Sequence, residues 1–138
     1  MLTHVEFRSD RFPAVAGEDK LVNPGRWGRR LTDFVREGLV RKGFEAREPL
    51  AEDWGYMLPV SNVPFHMWVG CGNYEGYPDA FLCFIEPHKP FVRKFLKKID
   101  TRERVTALQR ALDNILADDA GIRSKRWFTY EDFNKRYL

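Results

Sequence analysis

Cysteine is scarce in this chain. Only Cys71 and Cys83 occur in 138 residues, and two thiols supply neither a disulfide framework nor a zinc-ligand set. A reducing cytoplasm is the expected compartment for them. Long hydrophobic runs are missing too, since none approaches the ~18–20 residues that a membrane-spanning helix requires. The opening MLTHVEFRSD lacks the apolar stretch of a signal peptide, so export is not expected. The three histidines, His4, His66 and His88, are scattered and form no HxH or HExxH spacing. Phosphate-loop and dinucleotide motifs are absent as well. Gly70-Cys71-Gly72 has only the beginning of a glycine fingerprint, and it precedes a hairpin loop. No cofactor, no metal and no membrane partner is therefore expected.

Residues 51–87 contain no Lys or Arg, although the whole chain has 23. The stretch holds Glu52, Asp53, Glu75, Asp79 and Glu86, a net charge of −5, so the rest of the chain carries +8 to reach the total of +3. A mostly buried sheet has little use for long cations, and that explains the asymmetry. A sharper reading makes one face of the sheet an acidic site.

What is present is aromatic and periodic. Phe, Trp and Tyr make up 14% of the residues, which promises an aromatic core or an aromatic binding surface. Within 51–87, Trp54, Tyr56, Leu58 and Val60 share one face of a strand. Phe65, Met67, Val69 and Cys71 oppose His66 and Trp68 in the next, and Phe81, Cys83 and Ile85 oppose Ala80, Leu82 and Phe84 in a third. Ser61-Asn62-Val63-Pro64 and the aromatic loop 72–78 supply the turns. Both faces of the last two strands are apolar, so they belong at the centre of a sheet, covered at least partly on each side. Leu112 and Phe84 are expected in the core.

Around this meander, residues 3–8 alternate as a half-exposed strand near an edge. Residues 9–23 form a long loop, either mobile or functional. Asn23-Pro24 starts a helix carrying Trp27, Leu31, Phe34, Val35 and Leu39, with Gly43 as its stop. Residues 44–50 suggest a short strand. Residues 91–99 fit a helix through Val92, Phe95, Leu96 and Ile99, and less well a strand. Val105, Leu108, Leu112, Ile115 and Leu116 define the strongest amphipathic helix. Residues 122–128 add an edge strand, and Thr129 caps a short terminal helix. The expected fold is a single α+β domain spanning 1–138. It is a two-layer sandwich, a mainly antiparallel sheet with its central meander at 54–86, covered by amphipathic helices at about 24–42 and 101–118.

Function is less specific. Tyr74 and Tyr77 in the hairpin loop, with Trp127, Phe128 and Arg126 at the edge strand, are the residue types favoured at protein interfaces. The leading expectation is a cytoplasmic, non-catalytic protein-binding or accessory domain of the inhibitor (immunity) type, a style shared with small bacterial proteins. A nucleic-acid binder is the alternative. His88, Lys89, Arg93, Lys94, Lys97 and Lys98 interleave with Phe91 and Phe95, and Arg123, Lys125, Arg126, Lys135 and Arg136 surround Trp127, Phe128 and Tyr130. These are cations for phosphates and rings for bases. A third reading places a small enzyme site around Glu52, Asp53, His66 and Cys71. It needs a bulge to bring His66 and Cys71 onto one face.

Overall fold

The computed structural model describes residues 1–136. In chain order they form β1 (Leu2–Arg8), α1 (Glu18–Leu21), α2 (Arg29–Arg41), β2 (Leu50–Glu52), β3 (Gly55–Ser61), β4 (Met67–Asn73) and β5 (Ala80–Glu86). There follow β6 (Phe91–Lys94), β7 (Lys97–Asp100), α3 (Arg102–Ala117), β8 (Arg123–Thr129) and α4 (Tyr130–Lys135). The fold is α+β. A six-stranded sheet runs in the order β2-β3-β4-β5-β1-β8, and β6 and β7 pair separately. Neighbouring strands are antiparallel throughout. No helix among the described residues is long and apolar enough to cross a membrane.

The period-two pattern does what it implies. Val5, Phe7, Leu58, Val60, Val69, Cys71, Phe81, Cys83 and Ile85 all point to one face and are buried there. Leu31, Val35 and Leu39 of α2 and Val105, Leu108, Leu112 and Leu116 of α3 close over them. Each such side chain gains about 1.5–3 kcal/mol on burial. The helices lie against each other at Gly38, where a Cβ would stand 2.8 Å from Ile115.

Residues 9–22 are tied down. Phe12 is buried against Phe7, Phe34 and Phe81, and Trp27 Nε1 donates to its carbonyl at 3.1 Å. Glu18 is 2% exposed and replaces the Asn23 cap expected for α2. Its carboxylate accepts from the backbone N–H groups of Val15 (2.8 Å), Gly28 (2.8 Å) and Arg29 (2.6 Å). A carboxylate at the positive end of a helix is favourable, and here it satisfies donors the helix cannot. Asn23 instead begins a turn closed by Arg26 N–H at 3.0 Å, so the helix starts at Arg29, several residues later than its apolar pattern suggests.

Three further expectations are corrected. Residues 91–99 are not helical but form the β6–β7 hairpin, because alternation in FVRK and KKID is satisfied by pairing the two segments with each other. Residues 44–49 are not a strand. Arg47 N–H reaches Pro59 O at 2.9 Å, but Pro59 has no N–H to return, so pairing resumes only at β2. Finally, β1 is not at an edge; β8 pairs on its outer side.

Candidate functional site

The side chains that alternate with the core residues form a second face, and no long helix covers it. His4, Glu6 and Arg8 of β1 lie beside Phe84, Leu82 and Ala80 of β5 on one side, and His4 and Glu6 beside Phe128 and Arg126 of β8 on the other. Trp68, Gly70 and Gly72 of β4 continue the face.

The short α4 covers one end. Thr129 Oγ1 caps it by accepting from Asp132 N–H at 3.1 Å. Its Phe133 packs on His4 with ring centroids 4.7 Å apart, while Phe84 stacks on the other side of His4 at 5.5 Å. His88 stacks on Tyr130 at 3.6 Å and its Nδ1 lies 2.9 Å from Glu86. Burial, and then the nearby His88, pull His4 down from its ordinary 6.5 to about 4, so it is neutral at physiological pH.

The rest of the face is open. Phe84 lies across Gly70, where a Cβ would meet its ring at 2.3 Å; glycine there lets the ring lie on the strand. Trp54 and Trp68 pack against Phe84 at 5.1 and 5.5 Å, and all three rings remain half-exposed. A depression of about 160 Å³ runs between Trp54, Phe84, Leu82, Tyr74 and Arg26. A larger one of about 420 Å³ adjoins it across Tyr74, bounded by Arg8, Tyr77, Arg126, Glu6 and Arg136. Tyr74 Oη donates to Glu6 at 2.5 Å, and Arg136 pairs with the same carboxylate. Arg8 pairs with Asp79 at 2.9 Å and lies over the Tyr77 ring. Arg126 rests on Phe128 at 4.8 Å. Among the described residues it meets no carboxylate within ion-pair distance.

Four of the five interface residues picked from sequence thus share a surface. Tyr74, Tyr77 and Arg126 border one depression, and Phe128, 6% exposed, is the floor under Arg126. Trp127 points the other way, and its Nε1 donates to Asp113 of α3 at 2.8 Å. Burial favours the neutral acid at Asp113, but hydrogen bonds from Lys125 and Trp127 outweigh it and hold the carboxyl below its usual range. Trp127 therefore fastens β8 to α3. Trp54 also departs from its sequence reading. It precedes β3 in the β2–β3 turn, and its ring lies on the open face, away from Tyr56, Leu58 and Val60.

The residues proposed for an enzyme do not assemble. Cys71 is fully buried in the core with its sulfur 3.6 Å from that of Cys83. The Cys71 contact and burial push the Cys83 thiol well above its ordinary value, the reverse of what a nucleophile needs. His66 is exposed just before β4 begins and contacts Asn62 at 2.9 Å. Glu52 and Asp53 are exposed at the β2–β3 turn, so His66 lies the length of β4 away from them. The acids of 51–87 do not converge either. Groups from elsewhere meet them at separate places: Arg26 at Glu75, the His88 ring at Glu86, and both Arg8 and Arg123 at Asp79. The two basic groups touch where His88 stacks on Tyr130 at 3.6 Å, but their cations are spread over the molecule. Arg123 lies at the end of the sheet where β1 finishes, Lys125 turns to Asp113, and residues 88–98 follow the opposite end of β5.

No family model, curated protein or solved structure matches the chain. The sequence reading missed Arg8, Trp54, Trp68 and Phe84 as members of this face. Alternation marked Arg8, Trp68 and Phe84 as a second side of their strands, but the register that aligns them emerges only in the sheet.

Proposed function

We propose that the chain is a small accessory protein that acts by binding another protein, and that the helix-free face of the sheet is its docking surface. One observation carries the reading. Tyr77, Tyr74, Arg126 and Arg8 converge with half-exposed Trp54, Trp68 and Phe84 on the one sheet face that the two long helices leave open. Trp, Tyr and Arg are the side chains that concentrate binding energy at interfaces, because they desolvate large areas while keeping a polar tip. The aromatic depression suits an apolar anchor from the partner. Arg126, seated on Phe128 and without an ion pair among the described residues, suits a carboxylate beside that anchor. Binding without turnover is how accessory and inhibitor (immunity-type) proteins work, and this face has that style. A cytoplasmic setting fits the two reduced, buried thiols.

Tyr77 is 54% exposed, so its truncation leaves packing nearly untouched. The combined Tyr77→Ala and Arg126→Glu variant is expected to lose a nuclease-resistant protein partner that the wild type captures, weakening affinity by about a hundredfold. Its unfolding midpoint should stay that of the wild type. Full partner capture by the folded double variant would overturn the assignment of the face.

A further inference from the structure

The β6–β7 hairpin places two large apolar residues where folding gains nothing from them. At its base, Val92 and Ile99 pack against the core, and the buried Thr101 locks the stem by donating from Oγ1 to Lys89 O at 2.5 Å and from N–H to Pro90 O at 3.0 Å. At its tip, Phe95 is 94% exposed and Leu96 98% exposed. Phe95 also holds a positive φ of 57°, a conformation that glycine or asparagine adopts easily and a bulky side chain does not. An aromatic that is both strained and solvated at a turn has its explanation outside the fold.

The charge around the tip says what lies outside. Arg93, Lys94, Lys97 and Lys98 occupy the next two rungs, and residues 87–99 contain no acid. Among the described residues none of these four cations makes an ion pair. Paired positions share a side of the hairpin, so Lys94 and Lys97 lie on one side and Arg93 and Lys98 on the other. The cationic residues therefore flank the tip on both sides, their backbone about 3–7 Å behind it at strand spacing, with the Arg93 and Lys98 head groups over the Phe91 ring nearer the base. We propose that this hairpin is a membrane-surface probe. Phe95 and Leu96 enter the acyl boundary of an anionic phospholipid bilayer, while the four cations meet its headgroups. That depth order matches interfacial insertion, in which apolar groups sink about 5–10 Å and basic groups stay at the surface. A nucleic-acid groove met side-on would be served by cations on one side, and Leu96 has no ring to stack on a base. This contact is peripheral and distinct from spanning the bilayer.

The test is co-sedimentation of the whole chain with vesicles of phosphatidylcholine plus phosphatidylserine, with phosphatidylcholine alone, and with single- and double-stranded DNA in parallel. The wild type is expected to bind the anionic vesicles, to prefer them over neutral ones, and to be released by salt. The Phe95→Gly, Leu96→Ser double variant should lose about tenfold or more in vesicle partition. Glycine relieves the strained turn, so the unfolding midpoint of this variant should equal or exceed that of the wild type. No binding to anionic vesicles at low salt would overturn the proposal. So would unchanged partition of the double variant, or tip-dependent binding to DNA in place of lipid.

Discussion

Val69 and Cys71 of β4 point into a face sealed by α2 and α3, while Trp68 and Gly70, each one residue away, lie on a face open to solvent. The same alternation thus builds two unlike surfaces from one set of strands. The sealed face is largely aliphatic, with the two thiols at its centre. The open face carries indole and phenol rings, guanidinium groups and the carboxylate of Glu6, held in place by stacking, hydrogen bonds and ion pairs. A sheet that needed only a core could fill its second face with short polar side chains. Large half-exposed rings there keep apolar area in water, and a partner that covers them recovers it.

Truncation should separate the faces most sharply. Leu112 is fully buried against the sheet, and Leu112→Ala should cost about 3–4 kcal/mol in denaturant unfolding. Phe84 is the larger side chain but is half-exposed on the open face, so Phe84→Ala should cost only about 1–2 kcal/mol. Equal losses at the two sites would erase the distinction between the faces.

Next in size is the buried carboxylate that starts α2. Removing Glu18 leaves three backbone donors without an acceptor. It also removes the partner of Tyr56, whose hydroxyl burial and the Glu18 contact push up to about 12. Glu18→Ala should destabilise by about 2–3 kcal/mol, and Glu18→Gln by less. A neutral outcome for Glu18→Ala in the same unfolding assay would contradict the capping role.

Acid should probe the α4-covered end of the open face. His4 is neutral in the folded chain down to about pH 4 but ordinary, near 6.5, once unfolded. The unfolded state therefore binds the extra proton between those values. Stability from this site is complete above pH 6.5 and is lost as pH falls toward 4, by up to about 3 kcal/mol. Subtracting the pH profile of a His4→Phe variant from that of the wild type isolates the effect. Parallel profiles would mean that His4 is not desolvated between Phe84 and Phe133.

How much of this was legible in the sequence depends on the range of the cause. Strand and helix periodicity are local, so the meander, the two long helices and the antiparallel α+β architecture follow from Val69, Leu112 and their neighbours directly. The Thr129 cap is equally local. Glu18 reaching the start of α2 is not, because Asn23 offered a nearer cap of the preferred type and only the packing of residues 9–22 decides between them. Residues 91–99 failed for a related reason. Nine residues with apolar groups at both spacings carry no deciding signal until β6 finds β7. Tyr77 and Arg126 stand out in the sequence by residue type and by their places in a hairpin loop and an edge strand, but their proximity arises from the register that pairs β1 with both β5 and β8.

The central claim is that the open face binds a protein partner and contributes little to holding the fold together. The most direct test is side-by-side measurement of partner capture and unfolding midpoint for the wild type and the Tyr77→Ala, Arg126→Glu double variant, after nuclease treatment. The account predicts loss of the partner at an unchanged midpoint. Retention of the same partner by the folded variant would contradict it.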